Sequence, residues 1–217
     1  MSRIGAAALV KWKAKMKKFL FPLSYGLILA LAGCSDQSVT EAKKAEAAAE
    51  PVTGQSTLFR MYQVARLWAP DANVLKMNSI HLTEVPAVRG MAGAWQATFI
   101  SAEKSTARSY TYSVIEGEGN LHQGVFPWPQ EPWSGPANKT FLISAVKIDT
   151  DAAYKTALEQ AADYDKKNPK QTISFDLEMH ENFPNPSWRV IWGESAGTSG
   201  ISVLVDAFTG KYLETLH

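Results

Sequence analysis

Between Asp149 and Leu213 the apolar positions fall first at helical spacing and then in alternation. Asp149-Thr150-Asp151 offers side chains suited to an N-cap. Tyr154, Ala157, Leu158 and Ala161 then share one face of a predicted helix that ends at Asn168-Pro169. Next, Ile173, Phe175, Leu177 and Met179 alternate with Ser174, Asp176, Glu178 and His180, the pattern of a half-buried strand. A turn over 182–186 precedes Trp188, Val190 and Trp192, which mark a second strand. A Gly/Ser-rich loop (193–200) leads to a third at 201–205, then to Asp206-Ala-Phe-Thr-Gly210 and a closing Lys211-Tyr212-Leu213. The order read is helix, strand, strand, strand.

Ninety-three residues earlier the same features recur. The pair Asp149-Thr150 falls on Ser56-Thr57, and the helix face falls on Met61, Val64, Ala65 and Trp68. Ile173 and Phe175 fall on Ile80 and Leu82, Trp188 on Trp95, Val203 and Val205 on Tyr110 and Tyr112, and Gly210 on Gly117. Two copies make a duplicated domain, not a solenoid. The predicted fold class is α+β: two similar α-β-β-β units, each one helix packed on a small antiparallel sheet. Residues 56–119 are the first unit and 149–217 the second. Phe141 to Val146 is a candidate extra strand between them.

Ahead of the repeats stands a different pattern. Lys15-Met16-Lys17-Lys18 precedes an apolar run from Phe19 to Leu31 and the small-residue stretch Leu31-Ala32-Gly33-Cys34. A basic start, about a dozen apolar residues and a small-residue cleavage site define a secretory signal, and the run is short of the about 20 residues a transmembrane helix needs. Met16 has the form of a signal-peptide start. Cysteine directly after Leu-Ala-Gly resembles the lipobox of bacterial lipoproteins. That resemblance implies lipidation of Cys34 as the first residue of the mature chain, with residues 1–33 removed. It also implies a place in the bacterial envelope. Ser35, not aspartate, follows the cysteine, and under the family's sorting rule this favours the outer membrane, facing the periplasm. Cys34 is the only cysteine, so no disulfide competes for it.

Composition then narrows the partners. Six of the 22 Lys and Arg residues and none of the 21 acidic ones lie within 1–33, so the remainder carries a formal net charge of −5. It has no basic run, and a nucleic-acid partner is not expected. Residues 34–55, rich in Ala, Lys and Glu, read as a flexible tether.

The second unit carries a further resemblance. Trp188-Arg-Val-Ile-Trp, then Ile201-Ser-Val-Leu-Val-Asp-Ala-Phe-Thr-Gly-Lys-Tyr-Leu, is similar to the C-terminal hairpin of a PepSY domain. The likeness covers 149–214 well and 56–119 more loosely, since Ser113 and Glu116 stand where the second copy has Asp206 and Thr209. PepSY domains occur in propeptides and in envelope proteins thought to restrain peptidases, so the resemblance implies an envelope peptidase or its substrate as partner. Independently of it, Asp206 and Gly210 suit a turn: the carboxylate accepts backbone N–H groups and the glycine supplies a positive φ.

Catalytic chemistry finds little footing. His81, His122, His180 and His217 lack metal-ligand spacing. Gly193-Glu-Ser-Ala-Gly197 has the spacing of a nucleophile elbow but precedes a strand within a hairpin, where a real elbow leads into a helix. No catalytic residue, metal ligand or cofactor is expected, and the protein is not expected to be an enzyme. The remaining segment, 120–148, reads as a connector containing Phe126, Trp128 and Trp133 among four prolines. Proline stiffening suits a rigid aromatic surface for a protein or peptide partner. The other reading is a plug in which these rings fill the gap between the two units. The function expected is a non-enzymatic periplasmic lipoprotein that binds an envelope protein or peptide. The alternative is a structural component stabilising a membrane assembly.

Overall fold

A computed structural model describes residues 49–217. In chain order they form β1 (Val52–Thr53), α1 (Gly54–Trp68), β2 (Asn73–Ile80), β3 (Met91–Ala92), β4 (Ala94–Ser101), β5 (Thr106–Ser113), β6 (Gly124–Pro132), α2 (Thr150–Lys167), β7 (Ile173–Met179), β8 (Pro186–Trp192), β9 (Ile201–Asp206) and β10 (Tyr212–Leu216). Single 3-10 turns sit at Ala137–Lys139 and Ile143–Ala145. Eight strands make one antiparallel sheet in the order β10-β9-β8-β7-β2-β4-β5-β6, while β1 and β3 pair separately. The fold is α+β, with both helices on one face of the sheet.

That layering follows from the two periodicities. Alternation sends Trp95, Ala97 and Phe99 of β4 to one face, with Phe175, Leu177, Trp188, Val190, Trp192, Val203 and Val205 from the other half. Leu58, Met61 and Ala65 of α1 and Ala153, Ala157 and Ala161 of α2 cover them in one continuous core. The alanine stripe lets α2 lie close on β8 and β9. The two central tryptophans meet edge to face, ring centroids 6.4 Å apart. Each satisfies its indole N–H on a carbonyl just ahead of a helix: Trp95 on Val52 at 3.1 Å and Trp188 on Ile148 at 2.8 Å.

The helix N-termini converge above this pair. Asp149 caps α2 through Thr150 N–H at 2.7 Å, and the same oxygen accepts from Gln55 N–H of α1 at 2.8 Å. Its other oxygen accepts from the Thr53 hydroxyl at 2.6 Å, and Thr150 Oγ1 accepts from Gly54 N–H at 2.8 Å. One carboxylate therefore serves two helix starts, where negative charge is favourable. Gly54 has no room for a side chain, since a β-carbon would lie 2.7 Å from Thr150 and 2.9 Å from the Trp188 ring. Losing an N-cap costs about 1 kcal/mol, so Asp149→Ala, which strips two, is expected to cost about 2 kcal/mol in chemical denaturation. Asp151→Ala, at a half-exposed side chain that serves one helix only, is expected to cost well under half of that.

Several expectations change. The strands form one sheet across both halves, joined by β2 against β7 (Met77 opposite Leu177), not two small sheets. Each helix is followed by four sheet strands, not three, because 124–132 and 212–216 also pair. The supposed connector thus supplies edge strand β6, and Phe141 makes only an isolated bridge to Val74. The 93-residue spacing holds for the hairpins: Trp95 faces Tyr112 as Trp188 faces Val205, and Phe99 faces Arg108 as Trp192 faces Ile201. It fails for the helices, whose caps Thr53 and Asp149 stand 96 residues apart. Ser56 and Thr57 lie inside the first turn of α1. The longer connection between β2 and β4, which carries β3, absorbs the difference. Leu82 lies beyond β2 and packs with Val85 and Ala94, since a bulge between Val74 and Lys76 resets the strand's phase. Val52–Thr53 and the start of α1 at Gly54 fall within the stretch 34–55 read as a tether.

Candidate functional site

Alternation that sends the large apolar side chains to the helices sends a polar set to the opposite face. In register, a row crosses all eight strands: Glu214, Leu204, Arg189, Asp176, Asn78, Gln96, Thr111 and Phe126. A neighbouring row runs Asp206, Ser187, Glu178, Lys76, Thr98 and Ser109. Neither α1 nor α2 reaches this side. A small apolar cluster of Leu82, Val85 and Ala94 covers one corner of this face, and the rest presents Asn, Gln, Thr, Ser and charged groups, which are costly to bury unpaired.

Aromatic side chains mark one end of it. Trp128 and Trp133 line a groove of about 300 Å³ with Gln96, Thr98, Ser109 and Glu131. The Trp133 ring rests on Gly135, where a β-carbon would approach it to 2.8 Å. Phe126 shares the face of Trp128 but packs on the His122 ring, centroids 4.5 Å apart. All three rings are half-buried, neither exposed anchors nor sealed plugs. The plug reading fails on position: β6 is the outer edge of the sheet, with three strands between it and the seam between the halves. A second groove, about 610 Å³, lies toward the other edge, with Leu204, Phe183 and Leu216 among Glu178, Glu214 and Lys76.

Two carboxylates on this side titrate in opposite senses. Burial raises the Asp206 carboxyl, but the Asn185 amide at 3.0 Å and the N–H groups of Thr209 at 2.7 Å and Phe208 at 2.9 Å outweigh it and hold its pKa below the ordinary value. With Gly210 at φ +76°, this is the turn that the sequence implies. Asp176 goes the other way: burial, then repulsion from Glu178, raises its pKa, and Arg189 and Lys76 compensate only in part. A raised carboxyl favours the fold while protonated and loses that contribution as pH climbs through its folded value, from about pH 4 upward. Asp176→Asn is therefore expected to raise Tm at pH 7 and leave it unchanged at pH 3; equal effects at both would contradict the assignment.

The other sequence candidates stay apart. Ser195 sits exposed in the loop between β8 and β9, hydrogen-bonded to Thr198 at 2.9 Å, with no helix after it. His122 pairs with Glu116, and His180 Nε2 lies 4.0 Å from Glu178. Among the described residues no three His, Cys, Asp or Glu side chains are grouped to hold a metal. Cys34 lies outside the described residues. None of the described helices is long and apolar enough to cross a membrane. The sequence singles out the three aromatics as candidates but not Asn78, Gln96, Thr98 or Asp176, although the polar half of each strand's alternation is the signal for them.

No family model and no curated protein sequence matches the chain. The resemblance to PepSY domains thus rests on the motif residues alone. Among solved structures, the chain is similar to a candidate lipoprotein from Clostridium difficile 630, at 7% identity and a TM-score of 0.46, over 79% of this chain and 95% of that one. A likeness at that level carries no argument about this chain.

Proposed function

We propose that the protein is a non-enzymatic lipoprotein of the bacterial envelope, anchored through Cys34, whose polar sheet face binds an envelope protein or peptide. One observation carries the binding half of this reading: a row of mainly polar side chains runs the width of an eight-stranded sheet whose helices all pack on the other side. Interfaces between separately folded proteins are about as polar as ordinary surface and enriched in Tyr, Trp and Arg at their centres. The groove beside Trp128 and Trp133 fits that composition. The anchoring half is supported by the lipobox-like Leu31-Ala-Gly-Cys34.

The same reading takes the two halves as copies of one unit, supported by the matching hairpin registers and by Trp95 and Trp188 in corresponding places. An envelope peptidase or its substrate is the partner class that the PepSY-like motif favours, and outer-membrane placement follows from Ser35. Co-purification from detergent-solubilised envelopes with Cys34 intact tests the proposal. Replacing both Trp128 and Trp133 with Ser is expected to weaken partner capture by more than tenfold while leaving Tm nearly unchanged. A large fall in Tm without a specific loss of capture would return both rings to a structural role.

A further inference from the structure

The two outer edges of the sheet are built differently. At one, β6 carries Pro127, Pro129 and Pro132, and Trp133 N–H folds back onto the Ser105 carbonyl at 3.0 Å. Proline offers no N–H, so this edge resists the addition of another strand. At the other, β10 reads Tyr212-Leu-Glu-Thr-Leu216, with no proline. Among the described residues no strand pairs with its outer side. An open row of N–H and C=O groups is a template for strand addition.

The side chains of β10 indicate what chemistry would pair there. Glu214 and Leu216 lie opposite Leu204 and Ser202, on the polar face, and both line the larger groove, whose charged residues are Glu178, Glu181, Lys76 and Lys139. Lys139 is engaged with Glu181 at 3.2 Å, whereas Glu214 has no cationic partner among the described residues. A second copy is a poor occupant, because antiparallel self-pairing centred on β10 sets Glu214 against Glu214, and like charges directly opposite are destabilising.

We infer that β10 accepts an extended segment of a partner as a ninth strand, with Lys or Arg beside Glu214 and an apolar residue two positions away beside Leu216. This rests on the binding role of the polar face and names where and how an extended segment joins it. Main-chain bonds supply affinity, and the alternate side chains supply the choice of sequence.

The test pans the full chain, in detergent with Cys34 intact, against displayed random twelve-residue peptides. Enriched peptides are expected to carry Lys or Arg two positions from an apolar residue, and to bind at least tenfold more weakly to Glu214→Lys. N-methylation at alternate peptide amides is expected to abolish binding, while methylation at the intervening ones has little effect. That readout needs no protein variant and so cannot be confused with misfolding. Binding that is indifferent to N-methylation, enrichment of acidic or proline-rich peptides, no enrichment at all, or dimerisation through β10 in sedimentation each overturns the inference. Peptides lost with Trp128 and Trp133 but untouched by Glu214→Lys would overturn it while leaving the broader binding reading standing.

Discussion

Trp188→Ala is expected to lower the unfolding free energy by about 3–5 kcal/mol, the usual cost of emptying a buried tryptophan site. The ring is fully buried, its indole N–H has one partner at 2.8 Å, and its edge meets Trp95. Collapse cannot refill the space cheaply, since Gly54 above it is the first residue of α1 and is held by Thr150. The loss should fall on the whole molecule, because β2 and β7 join the halves into one sheet. Denaturation is therefore expected to remain a single transition shifted to lower denaturant. Leu67→Ala, at a side chain 88% exposed on the same helix side, is the control and should cost far less. Two separated transitions for Trp188→Ala would mean that the halves unfold independently.

Cys34→Ala carries the largest cellular effect. On the proposed reading, lipidation at that residue would join acyl chains to the protein, and more than one chain on a single cysteine suffices for stable membrane attachment. The variant is expected to incorporate no labelled palmitate, to lose membrane attachment, and to accumulate as precursor or soluble protein. Globomycin, which blocks lipoprotein signal cleavage, should arrest the wild-type chain at precursor size. Unchanged processing and attachment under both treatments would remove the anchor from the account. The folded residues 49–217 should be unaffected in Tm.

What could be read from the chain depended on whether the deciding interaction was local. The hairpins β4–β5 and β8–β9 were legible, because their alternation and tryptophans lie within one stretch of sequence, as does the turn at Asp206 that follows β9. So was the apolar face of α2. The cap of α1 was not: its carboxylate, Asp149, lies 94 residues from the Gln55 N–H it accepts. The union of the two halves was equally hidden, since pairing of β2 with β7 leaves no mark on either strand beyond ordinary alternation. Proline concealed β6, as a segment with Pro127, Pro129 and Pro132 reads as irregular, yet an edge strand tolerates proline on its open side. The polar face escaped notice for another reason. Each strand's outward residues looked like ordinary solvated positions, and only the register aligns them into rows.

The face on which partners dock is the central claim, and site-specific photo-crosslinking in intact cells addresses it most directly. A photoreactive residue would replace Gln96 or Asn78 on the polar face, or Leu67, exposed on the helix side. The account predicts a discrete adduct from both polar-face positions and none from Leu67. Adducts from Leu67 alone, or none from any position in cells where the protein is lipidated and folded, would contradict it.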